Sequence, residues 1–473
     1  MKHFLLISFT LFSICAHAQK PDFDTLNVNN WSIPFSTASS HGWDHVGKAK
    51  SICPKEEGIP SIFAFSLWFG GLDSGEIRAT AATYLQNGTD FFYGPLKDDG
   101  TATGTPTNDP WNKVYKLQRW EVEKHIQGKG TSQNIKNWPA HGNSAFGEPE
   151  NIAPFVDVNK NGIYEPNKGD YPEMKGDQML YIVNNESERT KRQAGGPAMG
   201  IEIHTRAYAF ACTDNEALNN TVFVEYRLFN KSKVNYDSFF VGFWADTDLG
   251  YAYDDYVGSN PELGCFYTYN GDNQDENHFK NYLPIVSFYP LNDKLDYFLY
   301  YENSFTTNGN PAGRNFTDHY NYLRGRWKNN SPILFGSDGI NVLNSKPTKF
   351  MFPSKPFERG EGVWNETTAN RQPADRRVMG STGPYTLKMS DTLVSTWAIS
   401  FHRDISGRTM DAYTLMEKQI PLIKKQFNNG FKNPCSPKTG ASISEAKMQA
   451  IQLFPNPTND IVSIASSKEI KSS

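Results

Sequence analysis

The chain is poor in cysteine, with five in 473 residues. It also lacks an excess of charge of either sign. Lys and Arg number 47 against 51 Asp and Glu, a formal net charge of −4 with pI near 6.2. That balance gives no electrostatic reason to expect nucleic acid or an anionic membrane as partner. Beyond the N-terminal segment no stretch is apolar enough to span a bilayer. The most specific catalytic signatures are missing too. There is no H-E-x-x-H metalloprotease helix and no glycine loop of the phosphate-cradling kind. Gly142-Asn143-Ser144-Ala145-Phe146-Gly147 is one residue too long for a nucleophile elbow.

Aromatic residues, in contrast, are abundant at 14%. They suit pleated, half-buried surfaces, so the composition leans toward sheet. The 38% hydrophobic and 21% charged content is that of a folded chain. Short β-like runs closed by turn residues dominate the body. Examples are Ser61 to Trp68, Gly200 to Ala211, Thr221 to Phe229, Ser238 to Trp244 and Leu393 to His402. Between Val222 and Phe229 the pattern has period two, and Glu225 and Arg227 share one face, which is expected to be the wetter one. Residues 126–175 and 303–375 lack periodicity and read as long loops. One helix stands out, Thr409 to Asn428, with Ala412, Leu415, Met416, Ile420, Ile423 and Phe427 at 3–4 spacing and Gly430 as its stop. Pro421 should kink it. The expected fold is mainly β: stacked antiparallel sheets, β-sandwich-like, with long loops and one C-terminal helix.

The N-terminus reads as an export signal. Lys2 supplies the positive charge, Phe4 to Cys15 is apolar, and Ala16-His17-Ala18 fits cleavage before Gln19. Loss of residues 1–18 leaves 46 basic against 51 acidic side chains, a net charge of −5. Residues 19–432 then form the β-rich main region, divisible into two sub-domains at about 19–150 and 176–432 joined by a calcium-loop segment. Residues 433–447 read as a linker. Cys53, Cys212, Cys265 and Cys435 remain after cleavage, in no zinc-binding spacing. They can form one or two disulfides or stay as buried thiols.

After the linker come Ile451-Gln452-Leu453-Phe454-Pro455-Asn456-Pro457 and Asp460-Ile461-Val462-Ser463-Ile464. Two short apolar runs about a Pro-Asn-Pro turn resemble the opening of the type A C-terminal sorting domain of the Bacteroidetes type IX secretion system. The resemblance covers only the start of that module, over 448–473. Further strings resemble a group of exported Bacteroidetes proteins that end in such domains. They are Leu67-Trp68-Phe69-Gly70-Gly71-Leu72-Asp73, Trp138-Pro139-Ala140-His141-Gly142, Gly169-Asp170-Tyr171-Pro172, Tyr320-Asn321-Tyr322-Leu323-Arg324-Gly325 and Asp375-Arg376-Arg377. Asp254-Asp255-Tyr256-Val257-Gly258 also matches, but Ser259-Asn260 follows where the group has Cys-Asp. The resemblance implies secretion or outer-surface display and the type IX machinery as partner. It implies no activity.

Two constellations point to calcium. The sharper is Asp157-x-Asn159-x-Asn161-Gly162-Ile163, the opening of an EF-hand-like loop. Oxygens at positions 1, 3 and 5 and the Ile163 carbonyl can converge on a hard cation, and Glu165 stands at position 9. Position 12 is Lys168, which excludes a standard EF-hand, and Asp170 is placed to close the shell. The other reading is a solvated Asx-rich turn. The second constellation is Asp246, Asp248, Asp254 and Asp255, with no Lys or Arg between residues 234 and 279. Unneutralised carboxylates so placed repel unless a cation intervenes; the alternative is a solvated acidic loop. His141 and His204 read as structural rather than catalytic histidines. The functional expectation is a non-enzymatic, calcium-stabilised exported β-sandwich whose specific ligand the sequence does not identify, an extracellular glycan or protein being the candidates. The alternative is a glycan-binding protein or polysaccharide hydrolase.

Overall fold

A computed structural model describes residues 20–435 apart from Asn87, 106–109 and Asn277. The export-signal segment, the linker from residue 436 and the sorting-domain segment 448–473 lie outside the described residues.

Two antiparallel sheets face each other. The larger has nine strands. Asp255–Asn260, Cys265–Asn270, Ile285–Pro290, Thr392–His402, Thr221–Asn230, Ile201–Ala209 and Gln178–Asn185 follow in order. The last of these carries both Phe92–Tyr93 and Tyr115–Gln118 on its free edge. The smaller has six strands, in the order Tyr297–Glu302, Arg376–Leu387, Tyr236–Asp246 and Ala64–Asp73. Ser40–His41 and Glu76–Thr80 both pair with Ala64–Asp73. Strands from before residue 150 and after residue 176 thus hydrogen-bond within both sheets.

Period two decides what fills the space between the sheets. Val222, Val224, Tyr226 and Leu228 point into the shared core, while Phe223 belongs to a second cluster on the outer face. Aromatic rings join the layers. Phe243 of the smaller sheet lies 5.5 Å from Phe288 and 5.4 Å from Trp397 of the larger, and Phe266 lies 5.1 Å from Phe298 across the gap. Rings at these separations add to the burial term that drives the layers together.

The outer faces are covered as well, so many strands are buried at every position, as Gln178–Asn185 is. The helix Thr409–Asn428 lays Ala412, Met416, Ile420 and Ile423 on the larger sheet and runs on through Pro421. The face expected to be wetter is indeed the less buried one, with Arg227 and Phe229 half-buried, but it too is partly covered. Glu225 is buried against Arg206 at 2.8 Å, because residues around 150–175 fold over that side of the sheet.

Two further eight-residue helices correct the expectation of a single one: Arg119–Ile126 and Phe316–Leu323. Both lie in or beside stretches without clear periodicity, and local caps start them. Glu121 accepts from the Gln118 amide in a capping box, and Asn315 accepts from the Thr317 and Asp318 amides. The second packs on the smaller sheet, where the Tyr320 hydroxyl donates to the Ser238 carbonyl. Cys212 and Cys435 form a disulfide, and Cys53 and Cys265 are buried thiols. Among the described residues no helix is long and apolar enough to cross a membrane.

Candidate metal centre

Three carboxylates meet at one end of the smaller sheet. Asp246 is the last residue of its strand and stands opposite Arg377 of the neighbouring one. Asp375 immediately precedes that neighbour, Arg376–Leu387. Asp248 follows two residues after Asp246 with φ +33°, a left-handed conformation that a short polar side chain tolerates better than most. One ligand oxygen from each lies within 4.8 Å of the others. Asp246 is buried, and Asp248 and Asp375 are half-buried.

The charges here do not cancel. Three carboxyl groups face one guanidinium, that of Arg377, so that full ionisation would leave a surplus of two negative charges. Arg377 reaches Asp375 at 2.5 Å and Asp246 at 3.6 Å, and its Nε donates to the Tyr84 hydroxyl. That hydroxyl in turn donates to Asp246 Oδ2 at 2.7 Å. Of the other oxygens, Asp246 Oδ1 and Asp248 Oδ1 are shut off from water with no hydrogen-bond partner. Burial pushes both carboxyls above the ordinary range; Arg377 opposes the shift at Asp246, whereas Asp246 and Asp375 reinforce it at Asp248. Oxygen-only donors, two of them bare, with a surplus charge of two once ionised, could hold a hard metal cation.

The other two aspartates of this constellation divide. Asp255 opens the strand Asp255–Asn260 and is fully buried; its Oδ2 accepts the Leu249 amide and its Oδ1 has no partner. Burial pushes it well up, and its nearest charges are the carboxylates of Asp248, Asp254 and Asp275. Asp255 is not one of the three carboxylates whose oxygens lie within 4.8 Å of one another. Asp254 instead faces Asp275, and burial pushes it up to about 7. Asp275 is occupied with the Tyr251 and Phe279 amides and shapes the surrounding loop.

The Asp157 loop lies elsewhere, between the paired strands Phe155–Val156 and Tyr171–Pro172. Asp157 accepts the Lys160 and Gly162 amides, Asn159 that of Asn161, and Asn161 that of Ile163. Gly162 takes φ +79° at the bend. Glu165 Oε2 accepts from both Asn159 and Asn161, while its other oxygen pairs with Lys168. Asp170, fully buried, accepts the Val158 and Glu165 amides and so ties the two ends of the loop. Asp157, Asn159, Asn161, Glu165 and Asp170 thus form one knot of hydrogen bonds around the turn that ends at Ile163.

Sequence reasoning missed three members of the buried centre: Asp375, Arg377 and Tyr84. Over a hundred residues separate them from Asp246; strand pairing brings up Arg377 with its neighbour Asp375, and Tyr84 reaches in from a loop through its hydroxyl. The Asp375-Arg376-Arg377 string was the one visible sign. His141 is structural: it contacts the Glu150 carbonyl and accepts the Tyr164 amide. In comparisons with known proteins, no family model and no curated protein matches the chain.

Proposed function

We propose that this chain is a non-enzymatic, exported β-sandwich protein whose fold is closed by structural calcium. The ion sits among Asp246, Asp248 and Asp375. The observation that carries the reading is the pair of bare, buried carboxylate oxygens in a cluster with one guanidinium for three carboxylates. An uncompensated buried charge costs several kcal/mol, and a cation that binds only the folded chain removes that cost. The Asp157 loop is the second calcium position in this reading. Export follows from residues 1–18 and from the segment around Pro455-Asn456-Pro457, through which the type IX machinery would recognise the chain. The protein then acts outside the cell, released or on the outer surface, toward a glycan or protein ligand.

Calorimetric titration of calcium into metal-stripped protein tests the site. Saturable binding should survive D157N in part and lose its buried component in the D246N/D248N double variant. A stripped protein that takes up no calcium refutes the proposal. For export, the mature product should begin at Gln19 by N-terminal sequencing.

A further inference from the structure

The outer face of the larger sheet holds a cavity that the cation chemistry does not use. Tyr181, His204, Arg206 and Arg227 lie on three adjacent strands, with Tyr181 opposite Arg206 and His204 opposite Arg227. Residues 151–155 close over them and leave about 340 Å³. That is the size of small-ligand sites, commonly about 300–1,000 Å³.

All but one of the ionic groups at this cavity are matched. Arg206 Nε donates to Glu225 at 2.8 Å and its Nη1 to Glu173 at 2.9 Å. Glu202 Oε1 faces His204 Nε2 at 2.8 Å, and its Oε2 accepts the Leu96 amide. His204 Nδ1 meets the Tyr181 hydroxyl at 2.8 Å, which locks both rings. Arg227 is the exception. Among the described residues no carboxylate pairs with it, and its Nε is closed to water without a hydrogen-bond partner. Tyr181 cannot supply the missing negative charge, since burial holds its hydroxyl well above the ordinary range despite the nearby arginines. Phe229 lines the same space, its ring 4.6 Å from that of His204, and Phe155 lines it from the covering segment. An unpaired guanidinium donor beside fixed polar groups and two rings is what an acidic, partly apolar-faced small molecule needs.

We propose that this cavity binds a small carboxylate-bearing ligand of monosaccharide size, a uronic acid being the type, with its carboxylate on the terminal Nη atoms of Arg227 and its ring against Phe229 and Phe155, which line the same space. The site is independent of calcium at Asp246, which lies on the other sheet.

The test is calorimetric titration of sodium glucuronate into the full chain, with glucose and sodium sulfate as comparisons. Glucuronate should bind saturably, one per chain, and at least about tenfold more tightly than either. R227Q should weaken glucuronate binding by about tenfold or more. R227K, which keeps the charge and loses the planar fork, should weaken it less. The thermal melt of each variant shows whether it is folded, and R227K decides the matter if R227Q is not. Absence of glucuronate binding, equal binding of sulfate, or binding unchanged in both variants overturns the proposal.

Discussion

With the proposed calcium site empty, the stability of this protein should depend on pH in a direction opposite to that of ordinary salt-bridged carboxylates. Burial holds Asp246, Asp248, Asp254 and Asp255 above their usual range, in the case of Asp254 at about 7. A carboxyl raised in the folded state is protonated there while it is ionised in the unfolded chain. Its contribution is fully present below the unfolded value, near 4, and is lost as pH climbs through the folded value. Each such group therefore removes about 1.4 kcal/mol per pH unit across that window in the metal-free protein. Calcium reverses this, because it binds the ionised form. At a hundred to a thousand times its dissociation constant it adds about 2.7–4.1 kcal/mol. For roughly 400 ordered residues the unfolding entropy is about 0.8 kcal/mol per degree, so the calcium-dependent rise in Tm is about 3–5 °C. Scanning calorimetry on resin-stripped protein, with and without added calcium, at pH 5, 6, 7 and 8 reads it directly. The gap should be small at pH 5 and widest at pH 7 and above. No gap at any pH, or a gap that does not grow with pH, would show that the buried carboxylates do not form a cation site.

Three other outcomes follow from the packing. Cys53 and Cys265 should resist a thiol reagent until the protein unfolds and then react as two thiols, while Cys212 and Cys435 react only after reduction; a further reactive thiol would report Cys15 on an uncleaved leader. G380A should cost about 1–3 kcal/mol in urea unfolding, because a Cβ there would come within 2.1 Å of the Phe266 ring that bridges the sheets; an unchanged midpoint would contradict that contact. E366Q should cost about 3–5 kcal/mol by the same assay. Glu366 is fully buried, meets Arg376 at 2.8 Å and accepts the Val257 amide, so losing its charge leaves the buried guanidinium with the Gln372 carbonyl at 2.6 Å and Glu302 only at 4.0 Å. Wild-type stability in E366Q would contradict it.

The architecture was legible where strands obey simple rules. Thr221–Asn230, Tyr236–Asp246 and Thr392–His402 lie within a few residues of the runs read from β-branched and aromatic residues, and the helix Thr409–Asn428 from its stripe. What escaped was decided by tertiary cover. Glu225 sits on a polar-looking face, but the segment folded above that face supplies Glu173 and Lys175 as partners for the pairs that bury it. The helix Phe316–Leu323 escaped because two turns are too few for a convincing period, and its Asn315 cap is a local signal easily read as loop. At the metal centre, the local run from Asp246 to Asp255 was visible as repelling charge without a counter-ion. Its third carboxylate and its one guanidinium come from Asp375 and Arg377, and no local pattern encodes a pairing of strands more than a hundred residues apart.

The most direct measurement is crystallographic. Crystals grown with calcium, or soaked with a lanthanide in its place, should give an anomalous peak bounded by Asp246, Asp248 and Asp375, within about 2.3–2.6 Å of carboxylate oxygens for calcium. A well-ordered map with those three side chains in place and no peak between them would contradict the claim that a divalent ion closes this fold.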